Sequence, residues 1–136
     1  MAEAENVLLY RRLIEEGVGV GRLDVLDEVL TPDISLPTLP SMVEPTLAGL
    51  KQINAALRAA MPDTSVTIDE IVAEGDWVAA KLTWEGTHTG ATFMGISPSG
   101  RGFSVTEFEI VRCSNGRIVD CRQVFDVGSM IAQLSG

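Results

Sequence analysis

The acidic residue that ends the last predicted strand is the first candidate for chemistry. Asp126 follows Val124 and Phe125 and precedes Val127, so its carboxylate has apolar neighbours along the chain. Such a carboxylate must be hydrogen-bonded, paired with a cation, solvated or protonated, because an unpaired buried charge is very costly. We therefore take Asp126 as the leading catalytic candidate. The alternative is an aspartate at a strand end that faces water, as most aspartates do.

Two glutamates on the preceding strand could act together with this aspartate. Asn115-Gly116 predicts a two-residue hairpin turn, and in that register Glu109 lies opposite Arg122. One face of the hairpin would then carry Glu107, Glu109, Arg122 and Asp126, and the other would carry Phe108, Ile110, Val119, Cys121 and Phe125. A three-residue loop would shift the pairing by one residue and group the glutamates with Cys121 and Gln123 instead.

The acidic face of this hairpin has two interpretations. As a solvated outer face, it would carry a cross-strand Glu–Arg pair that contributes a fraction of a kcal/mol. As the floor of a cavity, it would raise the pKa of at least one carboxyl group through crowding and desolvation, which suits general acid or base catalysis. We expect an enclosed, mostly apolar pocket of ~300–1,000 Å³ lined by this face, Trp84 and His88. His88 is either catalytic or a structural hydrogen-bonding residue.

Helices and an antiparallel sheet are predicted to position these residues. Apolar residues at helical spacing predict helices over residues 6–16, 23–30 and 47–61. Alternation with period two predicts strands from residue 65 onward, including 77–88 and 103–113 and a last strand that starts after Gly116. The proline-rich segment 33–45 is either a lid over a cavity or a packed connection. This order indicates an α+β fold in a single domain over residues 1–136.

Composition excludes several classes of partner. The net charge of −9 would repel nucleic acid and an anionic membrane surface, and no apolar run approaches the ~20 residues of a membrane span. Cys113 and Cys121 do not match a metal-binding spacing, and His88 is the only histidine. We expect a cytoplasmic protein that uses no metal or cofactor and binds a neutral or weakly polar small molecule.

Six short motifs follow one another along nearly the whole chain. They are Met61-Pro62-Asp63, the GTHTG of residues 86–90, Phe93-Met94-Gly95, Pro98-Ser99-Gly100-Arg101, Asn115-Gly116-Arg117-Ile118, and Asp126 with Gln133-Leu134. In this order they resemble the SnoaL-like polyketide cyclases. The resemblance implies a cone-shaped α+β fold, shared with ketosteroid isomerase and nuclear transport factor 2, in which a curved antiparallel sheet and three N-terminal helices enclose an apolar pocket.

The resemblance also implies roles for individual residues. Cyclases of this family use an acidic residue as acid and base in an intramolecular aldol closure, without metal or cofactor, and that acid falls on Asp126. Polar pocket residues of the family fall on Glu107 and Glu109. The chain departs from the family in three ways: both of those positions are glutamates, Cys121-Arg122 replaces a common His-Trp pair, and an aromatic residue near the end of the first helix is missing.

Three functions are compatible with these features. In a cyclase or isomerase, Asp126 would exchange a proton beside a carbonyl, and protonated Glu107 or His88 would stabilise the enolate oxygen, with Glu109, Arg122 and Trp84 contacting substrate. In an epoxide-opening hydrolase or cyclase, the acid pair would activate water or a hydroxyl while a protonated carboxyl donates to the epoxide oxygen. The third function is a non-catalytic pocket or assembly module. We also expect a homodimer joined through the sheet, because the apolar hairpin face would otherwise be exposed.

Overall fold

A computed structural model describes residues 2–136 as helices packed over a five-stranded sheet. Helix α1 spans Ala2–Arg11 and continues as a π-helix over Arg12–Val18. The remaining elements are α2 (Asp24–Val29), β1 (Leu30–Ser35), α3 (Leu47–Ala60), β2 (Ser65–Glu74), β3 (Trp77–Thr87), β4 (Gly102–Ser114), β5 (Arg117–Phe125) and α4 (Val127–Ser135). The predicted α+β class is confirmed. Within residues 2–136, no helix has both the length and the apolar character needed to cross a membrane.

The sheet has the strand order β1-β5-β4-β3-β2. Strands β2 to β5 are antiparallel neighbours, whereas β1 runs parallel to β5 at the edge. Pro32 lies within β1, a position that an edge strand tolerates because an edge residue need not donate to a second neighbour. Helical spacing predicts a helix over residues 23–30, but α2 ends at Val29 and the chain enters the sheet directly at Leu30.

A bulge in the last hairpin determines which side chains face the helices. The turn has two residues, as predicted, because Ser114 pairs with Arg117 and Asn115 adopts φ 53°. The register then shifts by one residue next to Val119, so that Glu109 pairs with Gln123 rather than Arg122. The grouping of the glutamates with Arg122 and Asp126 is therefore wrong. The glutamates share the inner face with Cys121 and Gln123, as expected for a pairing shifted by one residue, and with Phe125.

Two of the sequence motifs hold α3 against the end of β3. The Asp63 carboxylate accepts a hydrogen bond from the Thr87 backbone N–H at 2.8 Å. The Gly90 N–H donates to the Ala60 carbonyl, and a Cβ at Gly90 would lie 2.0 Å from the Ala59 oxygen. Only glycine allows this close approach of loop to helix, so the motifs position α3 over the sheet.

A third motif attaches the C-terminal helix to the sheet. The Gln133 amide accepts from the Ser104 N–H at 2.7 Å and donates to the Ser104 carbonyl at 3.1 Å, like a short piece of strand pairing. Leu134 next to it is buried in the core. Helix α4 is thereby held beside the start of β4, next to the inner face of the sheet.

Candidate active site

A cavity of about 200 Å³ lies between the inner face of the sheet, α3 and the loop that follows β1. Its volume is smaller than the predicted range, but the lining is mostly apolar, as expected. The loop contributes Pro40 and Met42, and Thr38 in the same loop accepts a hydrogen bond from the Gln123 N–H at 2.8 Å. The lining residues are Pro40, Met42, Ile53, Asn54, Leu57, Trp84, Phe93, Met94, Glu107, Gln123, Phe125, Val127 and Met130.

Glu107 is the one carboxylic acid in this lining, and it is only 4% exposed. The indole N–H of Trp84 donates to its Oε1 at 2.9 Å, and the Trp84 ring packs edge-on against Phe125. Burial raises the pKa of Glu107 well above its ordinary value, and the charge of nearby Glu109 raises it further, while the Trp84 hydrogen bond opposes both effects. The cavity therefore contains a carboxyl group that tends to keep its proton.

Glu109 lies two residues further along the same face of β4 and is held by α1. The Tyr10 hydroxyl donates to Glu109 Oε1 at 2.5 Å, and the Cys121 thiol lies 3.7 Å from Oε2. Burial raises the pKa of Glu109, and these two hydrogen bonds oppose the rise. Burial and the Glu109 charge raise the pKa of Tyr10, so the phenol stays a neutral donor.

Sequence reasoning missed Tyr10. It placed a helix over residues 6–16 and gave Tyr10 no role, whereas Tyr10 is fully buried in α1 and donates to Glu109 on β4. The signal that could have identified it is its helical spacing with Val7 and Ile14, together with its being the only tyrosine in the chain.

Arg122 lies on the opposite face of the sheet from the glutamates. Its guanidinium pairs with Asp120 at 3.0 Å and lies 6.0 Å from the centre of the Trp77 ring. The bulge next to Val119 turns Arg122 outward, so the expectation that it joins the acidic face is wrong.

Asp126 is exposed and caps α4. Its Oδ1 accepts a hydrogen bond from the Ser129 N–H at 3.1 Å. The residues on either side of it, Phe125 and Val127, line the cavity, but Asp126 itself is not a lining residue, so it lies at the rim. Its catalytic role stays a prediction.

His88 is fully buried at the end of β3 but is not among the cavity residues. Its Nε2 lies 2.7 Å from the Ala91 carbonyl oxygen, so this nitrogen carries the proton and donates. Nδ1 has no hydrogen-bond partner within residues 2–136. The His88 ring thus supports the loop that hydrogen-bonds to the end of α3. The catalytic role of His88 also stays a prediction.

Metal ligands do not converge in the part of the chain that the structure describes. No group of three or more histidine, cysteine, aspartate or glutamate side chains there is arranged to hold a metal ion. The chemistry open to the cavity is proton transfer by Glu107, with hydrogen bonding from the amides of Asn54 and Gln123.

The curved, open sheet with helices over its inner face and a carboxyl group in the cavity between them defines an α+β pocket protein of the type found in SnoaL-like proteins and nuclear transport factor 2. The family model for SnoaL-like polyketide cyclases matches residues 8–134. The chain belongs to this family.

Individual relatives agree with this assignment. The chain is 31% identical over 117 residues to nogalonic acid methyl ester cyclase of Streptomyces nogalater, covering 84% of this chain and 86% of the relative. IdmH of Streptomyces antibioticus, a proposed polyketide cyclase, is 32% identical with a TM-score of 0.81, covering 96% of this chain and 99% of that one. A proposed SnoaL-like cyclase from Jannaschia sp. CCS1 is 25% identical with a TM-score of 0.85, covering 98% and 94%.

Proposed function

We propose that this protein is a cofactor-independent cyclase or isomerase that acts by carboxyl acid–base chemistry on a neutral, polyketide-like carbonyl compound. The observation that carries the proposal is the Glu107 carboxyl group in the cavity. Trp84 holds its Oε1, whereas Oε2 has no hydrogen-bond partner within residues 2–136 and keeps some accessible surface. A protonated carboxyl in this setting can donate to a carbonyl oxygen of a bound substrate.

The lining of the cavity favours an uncharged substrate. None of its residues is a lysine, arginine or histidine, and most are apolar. A substrate carboxylate would meet Glu107 without a cation to pair with, which is unfavourable in a desolvated site. An ester or ketone would not have this cost. The relative from Streptomyces nogalater is named for such an ester.

The proposed reaction is an intramolecular aldol closure. Asp126 at the rim removes a proton from the carbon beside one carbonyl, and the electron pair of that C–H bond forms an enolate. The enolate carbon bonds to a second carbonyl carbon of the same molecule, whose π electrons move to its oxygen. Glu107 gives its proton to that oxygen, and transfer of the proton from Asp126 through solvent restores both groups.

The epoxide-opening alternative loses one supporting feature, the cluster of Arg122 with the acidic residues, because Arg122 faces away from the cavity. The non-catalytic alternative assumed a solvated acidic face, whereas Glu107 is buried. Binding without turnover remains the outcome that would contradict the proposal.

The test is turnover of neutral carbonyl substrates by wild type and Glu107→Gln. Nogalonic acid methyl ester and smaller 1,5-diketones that can close on themselves cover a range of sizes. We expect ring closure by wild type and a loss of ~10²–10⁴ in kcat for the variant, because Gln cannot supply a proton. Glu85→Gln is the matched control, since Glu85 is an exposed glutamate next to Trp84 on β3. Equal rates for Glu107→Gln and wild type would refute the role of Glu107.

A further inference from the structure

The proposed reaction uses Glu107 and leaves the second glutamate of the inner face without a role. Glu109 is two residues from Glu107 on β4, which separates the two positions by ~7 Å along one face. Two carboxyl groups this close in a desolvated site cannot both be ionised without a large cost. We therefore expect the two carboxyl groups to hold one proton between them, and their surroundings decide which group carries it.

The hydrogen-bond donors around the pair are distributed unequally. Both oxygens of Glu109 have donors, Tyr10 on Oε1 and Cys121 on Oε2, whereas Glu107 has Trp84 alone. Donors stabilise the ionised form of a carboxyl group, so two donors favour the charge on Glu109. Tyr10 is fully buried at the inner end of α1, so its hydroxyl has no competing water.

We propose that Tyr10 and Cys121 hold Glu109 as a half-buried anion, and that this anion keeps the proton of the pair on Glu107. Tyr10 and Glu109 are then positioning residues that act through Glu107. The inference rests on the proposed role of Glu107 as the proton donor, and it explains how that donor stays protonated at neutral pH.

The electrostatic surroundings agree with this distribution. At Glu109 the two hydrogen bonds oppose the rise in pKa that burial causes, whereas at Glu107 the charge of Glu109 adds to it. The other titratable group that faces the pair is Cys121, whose pKa is raised well above its ordinary value by burial and by both glutamates, so it remains a thiol. Four cations of the neighbouring elements have partners of their own: Lys51 with Asp27, Arg58 with backbone carbonyls, Lys81 with Asp69 and Arg122 with Asp120.

The experiment reads the protonation state of each carboxyl directly. Protein labelled with ¹³C at the glutamate carboxyl carbon gives NMR signals that distinguish acid from carboxylate, and Glu107→Gln and Glu109→Gln assign the two signals. At pH 7 we expect wild-type Glu107 to be protonated and Glu109 to be ionised. In Tyr10→Phe the proton should move toward Glu109, and Cys121→Ala should cause a smaller shift in the same direction. Trp84→Phe is the opposite control, because it removes the donor of Glu107 and leaves Glu109 ionised.

The outcomes separate this inference from the proposed function. An ionised Glu107 or a protonated Glu109 in wild type would overturn the inference, and this measurement needs no substrate. Signals unchanged in both Tyr10→Phe and Cys121→Ala would overturn the role of the two donors. The pH dependence of turnover is a second readout. As the pH rises, Tyr10→Phe should lose activity on the order of one pH unit below wild type, because Glu107 gives up its proton at a lower pH. If Glu107→Gln loses turnover but the pH profile of turnover in Tyr10→Phe is unshifted, the result would support the proposed function and contradict this inference.

Discussion

Glu107 couples the chemistry of the cavity to the stability of the fold. Its pKa is raised above the ordinary value of 4.5 in the folded protein, mainly by burial. The folded state therefore binds its proton more tightly than the unfolded state does. Its contribution to stability is present below pH 4.5 and is lost as the pH rises through the folded pKa.

We expect Glu107→Gln to remove this pH dependence, since Gln has the shape of the protonated acid and cannot ionise. The variant should melt at nearly the wild-type temperature at pH 4 and above it at pH 8. The gain is about 1.4 kcal/mol for each unit by which the folded pKa exceeds 4.5. Thermal melts of both proteins between pH 4 and pH 9 measure it, with Glu85→Gln as the surface control. A constant difference in melting temperature across this range would show that Glu107 is not the titrating group.

Asp126 has two separable roles at the residue scale, a cap and a candidate base. Its Oδ1 caps α4 through the Ser129 N–H, and Asn caps a helix about as well as Asp. We expect Asp126→Asn to keep the melting temperature and to lose ~10²–10⁴ in turnover. Asp126→Ala should lose turnover and also ~1 kcal/mol of stability, because the cap is gone. Near-normal turnover of Asp126→Asn would remove Asp126 from the mechanism.

At the scale of elements, the loop after β3 determines where α3 lies over the cavity. Gly90 and Ala91 donate to the last carbonyls of α3, and there is no space for a side chain at Gly90. We expect Gly90→Ala to cost ~1–3 kcal/mol, since the new methyl group must push backbone apart. Gly128→Ala is the matched control, because Gly128 is in α4 with open space around it, and alanine there should be neutral or stabilising. Equal melting temperatures for Gly90→Ala and wild type would contradict this account of the loop.

At the scale of the whole molecule, the outer face of the sheet carries several exposed apolar side chains. Val72, Phe108 and Val124 are 67%, 57% and 71% exposed, and they border a shallow groove of about 420 Å³. The sequence analysis expected an apolar outer patch but placed Cys121 and Phe125 in it; the bulge turns both inward.

We expect a homodimer through this outer face, because soluble monomers seldom expose such a contiguous apolar area. Phe108→Asp should convert the dimer to a monomer in light scattering at micromolar concentration, since it would bury a charge in the interface. Leu8→Asp, which changes an equally exposed apolar residue on α1, should leave the mass unchanged. A monomeric mass for wild type at that concentration would contradict the dimer.

The sequence by itself determined the features that depend on local pattern. Helical spacing and alternation predicted the α+β class, and the ordered motifs predicted the family. Placing Trp84 on a buried strand face needed only the period of two along β3. The turn at Asn115-Gly116 could also be predicted, because few residue pairs accept its backbone angles.

The tertiary structure alone decided which polar residues meet. One extra residue, Val119, reversed the outward and inward faces of β5 after it, because side chains in a strand alternate and a slip of one residue inverts all that follow. No local signal in the sequence marks that bulge. The contact between Tyr10 and Glu109 joins residues 99 positions apart, so it exists only once α1 packs on the sheet. The burial of Glu107, from which its chemistry follows, depends on the same packing.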